Sequence, residues 1–219
     1  MTPQAGLFLS CIAFVGLHFL FSHPLRSSLV GKVGERGFQA IYSVQALLTF
    51  GLMIYFYGAI GREAKIWDFG EWVWPVGSAL MWLGSILFVG SFISNPALPG
   101  ARLERGRAPG GVFAITRHPM MWSFAIWAAV HFAVIGTMKA LVFDSAIFFL
   151  AVVGSIGQDA KKRKLMGERF HEWVAQTAFI PFTKGVAWPG TTAFVGGTLL
   201  FLLATWLHPQ PVGLWIWIG

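Results

Sequence analysis

The sequence predicts an all-α, polytopic transmembrane bundle of about six spans plus an amphipathic cytoplasmic helix, and three observations carry that prediction. First, 56% of the 219 residues are hydrophobic and only 11% are charged, whereas soluble domains average about 25% charged residues. Second, uncharged runs are long: Gly37 to Gly61, Trp72 to Ala101, Pro119 to Met138 and Gly185 to Gly219 each lack Asp, Glu, Lys and Arg. Third, the charges that exist are clustered between those runs. A mean hydropathy of +0.65 and this patterning exclude a soluble enzyme, a disordered tail and a secreted disulfide scaffold. The single cysteine, Cys11, excludes intrachain disulfides, thiolate zinc clusters and iron–sulfur centres.

A hydrocarbon core about 30 Å thick needs roughly 20 helical residues, which places spans near 5–24, 38–60, 73–94, 119–136, 140–158 and 190–207. The start has neither a basic n-region nor a small-residue cleavage site, so the first span is expected to be retained. Asp144 falls near one end of the fifth span, where a charge is tolerable. The other acidic residues lie in loops or interfaces, so no intramembrane carboxylate relay is expected. Basic residues follow span one (Arg26, Lys32, Arg36), span three (Arg102, Arg105, Arg107, Arg117) and span five (Lys161 to Lys164, Arg169, Lys184). Thirteen of the 16 Lys and Arg thus share one side. The positive-inside rule makes that side cytoplasmic and turns both termini outward; the family resemblance given below implies a bacterial inner membrane, with both termini periplasmic. The net charge of +7 then reads as an insertion signal and as contact with anionic membrane lipid; nucleic acid is not an expected partner. Residues 1–219 read as one domain. Asp159 to Thr177 reads as an amphipathic surface helix with Leu165, Phe170, Trp173 and Val174 apolar, and Pro209 to Gly219, with Trp215 and Trp217, as an interfacial anchor.

Polar side chains inside spans are costly and are functional candidates by default. His18 lies in the cytoplasmic half of span one, and His131 about 12 residues into span four. One imidazole from each of two helices can ligate a metal or clamp a haem between them, with Phe14, Phe19, Trp122, Trp127 and Phe132 as apolar walls. The competing reading is that each histidine hydrogen-bonds a neighbouring helix. His118 and His131 are 13 positions apart, about 20 Å along one helix, and cannot share a metal on it.

Thr116-Arg117-His118-Pro119 opens span four. Pro suits a first helical turn, Thr116 suits a cap, and a helix start with Arg and His favours anions. Carboxylate, phosphate, a haem propionate or a lipid headgroup fits there, with Arg102, Arg105 and Arg107 nearby; an ordinary positive-inside anchor is the alternative. Gly77, Gly84 and Ser91 form a small-residue stripe in span three that reads as helix packing.

An early Leu-His in span one, Arg107-Ala-Pro-Gly-Gly-Val-Phe-Ala-Ile-Thr-Arg-His-Pro, Trp127-Ala-Ala-Val-His131 and Gly167-Glu-Arg-Phe…Ile180-Pro-Phe together resemble the NnrU family. These are bacterial integral membrane proteins associated with denitrification and nitric-oxide metabolism, similar to the zeta-carotene isomerases, which use haem b. The resemblance implies His18 and His131 as axial haem ligands. With haem so held, the cationic helix entry, Arg117 and His118 together with Arg107, is expected to hold propionates or a substrate's polar head, and redox change at iron to act on an apolar small-molecule substrate. The isomerases' cysteine-linked ligand switching has no matching residue, since Cys11 is two turns from His18. Arg117-His118-Pro119 followed by Glu168 and Glu172 also resembles the isoprenylcysteine and phospholipid methyltransferases, which implies S-adenosylmethionine as an alternative cofactor. That pattern's Tyr after Arg-His-Pro is replaced by Met120. A non-catalytic membrane assembly partner is the remaining alternative.

Overall fold

A computed structural model describes residues 1–93 and 108–208. The described chain is all-helical: α1 (Pro3–Ser22), α2 (Arg26–Ala59), α3 (Val73–Gly90), α4 (Val112–Ile115), α5 (Pro119–Ile135), α6 (Met138–Met166), α7 (Glu168–Gln176) and α8 (Thr191–Trp206). Four helices, α1, α2, α3 and α6, have the length and apolar composition to cross a membrane, and α5 and α8 are shorter apolar helices. Six spans therefore fit the architecture. Leu47 and Leu48 of α2 and Leu199 and Leu203 of α8 are all more than half exposed, as lipid-facing side chains are. The Arg102, Arg105 and Arg107 cluster and the Pro209–Gly219 tail lie outside the described residues.

Two boundaries differ from the sequence reading. The second span is the later part of α2, which starts at Arg26 and kinks at Gly34. Arg26, Lys32 and Arg36 are thus helical rather than in a loop, and Arg26 pairs with Glu35 at 2.6 Å. The expected helix over 159–177 is two pieces. α6 runs on to Met166, and Gly167, at φ 56°, breaks the chain in a left-handed conformation that glycine adopts without a Cβ penalty. α7 then turns its apolar face into the protein: Phe170 is 1% and Trp173 8% exposed. That burial removes the two largest apolar side chains that surface docking would need; Leu165, 70% exposed, belongs to the end of α6.

Backbone contacts divide the chain into two compact units. The first comprises Met1–Asp68 and His131–Leu150. In it α1 and α2 form an antiparallel pair, because contacts descend one helix as they climb the other. Gly6 leaves room for the Phe56 ring, which an added Cβ would meet at 2.4 Å; Phe14 stacks on Phe50 and His18 on Tyr42. Leu7 of α1 and Met53 of α2 are fully buried. The segment after α2 folds over the α5–α6 turn. Ile66 N–H donates to the Gly136 carbonyl at 2.7 Å, Lys139 N–H to Glu63 Oε2 at 2.9 Å, and Trp67 Nε1–H to the Phe132 carbonyl at 3.1 Å. A Cβ on Gly136, at φ 65°, would come 2.2 Å from the Trp67 carbonyl oxygen, so only glycine permits this approach.

The second unit comprises Phe69–Val130 and the chain from Ala151 onward. α3 and α8 pack backbone to backbone: a Cβ on Gly197 would sit 2.4 Å from Ile86 Cα, and Trp82 Nε1–H donates to Thr198 Oγ1 at 2.9 Å. The tightest small-residue contacts of α3 and α8 are thus at Gly90 and Gly197. Gly84, on the expected stripe, makes ordinary contact with Ile126 and Ser123 of α5. The core joins Ile86, Leu87, Val112, Phe113, Ile115, Phe170, Trp173 and Ala193.

Candidate functional site

Two polar constellations stand out, one in each unit. In the first, His18 sits one turn before the end of α1. Its Nδ1–H donates to the Phe14 carbonyl at 2.6 Å, an i−4 bond that a helical imidazole makes without leaving its rotamer. Phe14 tilts against the ring at 4.4 Å and Tyr42 meets it edge-on at 5.3 Å. The bond commits Nδ1 and makes Nε2 the nitrogen with a lone pair. His131 lies in α5, half-buried, beside Phe132, whose ring Trp67 covers at 4.6 Å. Both histidines belong to the same unit. Counted along their helices, His18 is four residues (about 6 Å) from Ser22, and His131 is twelve residues (about 18 Å) from Pro119.

The same unit holds two unmatched polar side chains. Asp144, expected near an interface, lies six residues into α6 and is 3% exposed; its Oδ2 has no hydrogen-bond partner among the described residues. Gln45 of α2 has both amide atoms buried and unpartnered. Asp144 thus lies near one end of its helix, as expected, but its side chain is buried in the packed interior rather than at the surface, beside Phe143, which is 7% exposed.

The second constellation is built on Arg117 and His118, which the structure brings together on a residue that sequence reasoning passed over, Asp159. Arg117 donates from Nε (2.9 Å) and Nη2 (2.7 Å) to Asp159 Oδ2, and from Nη1 to the Thr177 carbonyl at 3.1 Å. His118 Nε2–H donates to Asp159 Oδ1 at 2.8 Å. The Phe179 ring packs against the Arg117 guanidinium at 5.1 Å and the His118 ring at 5.3 Å. Thr116 Oγ1 and Trp122 Nε1 both donate to the Phe179 carbonyl at 2.7 Å. Side chains here are shut from solvent, 9% exposed for Arg117, 7% for Asp159 and 2% for His118. Burial pushes the His118 imidazole below its ordinary value, and its bond to Asp159 opposes this without overcoming it. The anion-holding role expected of Arg117 and His118 thus has a competitor inside the fold: Asp159 already neutralises the guanidinium and accepts the imidazole N–H. Arg107 lies outside the described residues. Asp159 had one signal in the sequence, an acid directly ahead of the basic run Lys161 to Lys164. The carbonyls of Thr177 and Phe179 had none, because any residue supplies one.

A sequence profile of the NnrU family, described as NnrU protein, matches residues 6–216. The chain belongs to the NnrU family. This NnrU chain is also 24% identical over 189 residues to the chloroplastic 15-cis-zeta-carotene isomerase of Arabidopsis thaliana, over 83% of its own length and 50% of the isomerase. It therefore spans about half the length of that curated relative. No solved structure matches it. The methyltransferase alternative is not favoured. The family match covers nearly the whole chain, Arg117 is bound to Asp159, and Glu168 is turned outward, 73% exposed at its side chain and 3.6 Å from His171.

Proposed function

We propose that this NnrU protein is a b-type haem protein of the bacterial inner membrane, with isomerase-like chemistry on an apolar substrate and a place in nitric-oxide metabolism. His18 and His131 are the residues that would hold the haem iron in this reading. The observation that carries it is the His18 Nδ1–H bond to the Phe14 carbonyl. Metal-ligating histidines almost always donate the other ring N–H to a carbonyl or carboxylate, which fixes the tautomer and raises the basicity of the ligating nitrogen. His18 has that arrangement, between two aromatic rings. The relative's name, an isomerase of zeta-carotene, supports an apolar substrate. A bound haem would supply a redox-active iron able to polarise a double bond. The chain's own part is to orient the His18 ring, to exclude water with Phe14, Tyr42 and Trp67, and to admit substrate from the lipid. Because Asp159 engages Arg117 and His118, we assign those two a structural part rather than a propionate-binding one.

The test is an absorption spectrum of the detergent-purified protein from haem-replete cells. A Soret band near 410–430 nm is expected, lost in His18→Ala and lost or shifted in His131→Ala. The histidines lie at different distances from their helix ends, so His131→Ala is the sharper variant: an unchanged spectrum removes it as a ligand and leaves His18 alone. A colourless wild-type preparation overturns the reading.

A further inference from the structure

Two acidic side chains of α6 are buried, Asp144 at 3% and Asp159 at 5% exposed, and the fold treats them differently. Asp159 has Arg117 and His118 bound to it. Among the described residues Asp144 has no counter-ion, and its Oδ2 accepts no hydrogen bond. The cation nearest to it along α6, Lys139, is engaged elsewhere: its ammonium donates to the Gly61 carbonyl and sits over the Tyr57 ring at 4.6 Å. In the same unit, Cys11 of α1 and Tyr57 of α2 lie within electrostatic reach of Asp144, and Tyr57 also within reach of Glu63. A thiol and a phenol bring no positive charge, so neither replaces the missing counter-ion.

An ionised carboxylate buried without a partner is far costlier than the same carboxyl carrying a proton, and membrane helices keep ionisable side chains mainly where ions or protons are handled. A hard metal cation asks for several oxygen ligands, and no group of three metal-ligating side chains is present among the described residues. A proton asks for one oxygen, which Asp144 supplies. Access is short on one side: Asp144 is six residues, about 9 Å, from Met138 at the start of α6, and 22 residues, about 33 Å, from Met166 at its end. At the near end Glu63 lies at the surface, its Oε2 taking the Lys139 N–H at 2.9 Å. We propose that Asp144 is a proton-binding site inside the bundle, whose carboxyl takes up and releases a proton by way of the near end of α6. Uptake forms one O–H bond on the carboxyl; release breaks it, leaves a carboxylate and passes the proton to water at the Glu63 end. The site uses neither His18 nor His131, so it stands or falls apart from the haem reading.

The experiment is infrared difference spectroscopy on the full chain in dodecyl maltoside, a detergent without carbonyl groups, at pH 7.5, where exposed carboxyls are ionised. The wild-type spectrum is expected to contain the carbonyl stretch of a protonated carboxyl, above the amide bands, and Asp144→Asn to lose it. Asn keeps the shape of the protonated side chain, and Asp144→Glu is expected to restore the band at a slightly different frequency, which separates loss of the proton from loss of the fold. Transfer to deuterium oxide is expected to move the wild-type band to lower frequency. No such band in the wild type, or one that stays in Asp144→Asn, overturns the proposal. A band that does not move in deuterium oxide also overturns it, because the carboxyl is then sealed and exchanges nothing.

Discussion

The polar residues of the first unit and those of the second obey opposite rules. Around Asp159 the buried charges are matched: the carboxylate takes two bonds from Arg117 and one from His118, and the third guanidinium nitrogen, Nη1, reaches the Thr177 carbonyl. In the first unit some polar groups are left open. Among the described residues Gln45 has two unmatched amide atoms and Asp144 one unmatched carboxyl oxygen. A saturated network holds a fold together, because any group removed strands another. An unsaturated one holds little together, and its cost is tolerable where a ligand completes it. The difference separates the part of the molecule that is scaffold from the part that is a candidate site.

The largest effect that bears on this contrast is expected at Asp159. Asp159→Ala leaves Arg117 buried without its counter-ion, which costs about 3–5 kcal/mol in comparable cases. Thermal unfolding in detergent should show a large fall in midpoint, and a fall no greater than that of a surface substitution would break the view of this cluster as scaffold. Next is Gly197→Ala, whose new Cβ meets Ile86 backbone at 2.4 Å. Overpacking of this kind costs roughly 1–3 kcal/mol, and the same melting assay reads it. Asp144→Leu should act in the other direction. Replacing an unmatched buried carboxyl by an apolar group stabilises by about 1–3 kcal/mol, so a lowered midpoint would show that Asp144 has a structural partner after all.

The smallest effect is the pH dependence of the second unit. His118 has its folded-state value depressed by burial, so the unfolded chain takes up its proton more readily. Its contribution is full above the ordinary histidine value of about 6.5 and is lost as pH falls below it. Melting midpoints should fall between pH 7.5 and 5.5 in the wild type and less in His118→Gln. An equal fall in both would assign the acid sensitivity to another group.

Much of this was legible in the residues. Long uncharged runs locate the apolar helices, because a bilayer core sets a minimum length that composition alone reports, but they miss the charged extensions at the start of α2 and the end of α6. His18, His131, Arg117 and His118 were legible as candidates because polar groups among apolar ones stand out in one dimension. α7 was misread for a related reason. The pattern of Phe170 and Trp173 reports an apolar face, and a protein core satisfies that face as well as a membrane surface does.

By itself, then, the sequence determined the class of molecule, the family, the helices and the short set of polar residues worth asking about. Tertiary structure alone decided which of them are matched. It set Asp159 against Arg117 and His118 across more than 40 positions, turned Asp144 inward and left Gln45 unmatched. Whether a polar group is satisfied depends on the atoms within about 3 Å of it, and in a helical bundle most of those come from segments far away along the chain.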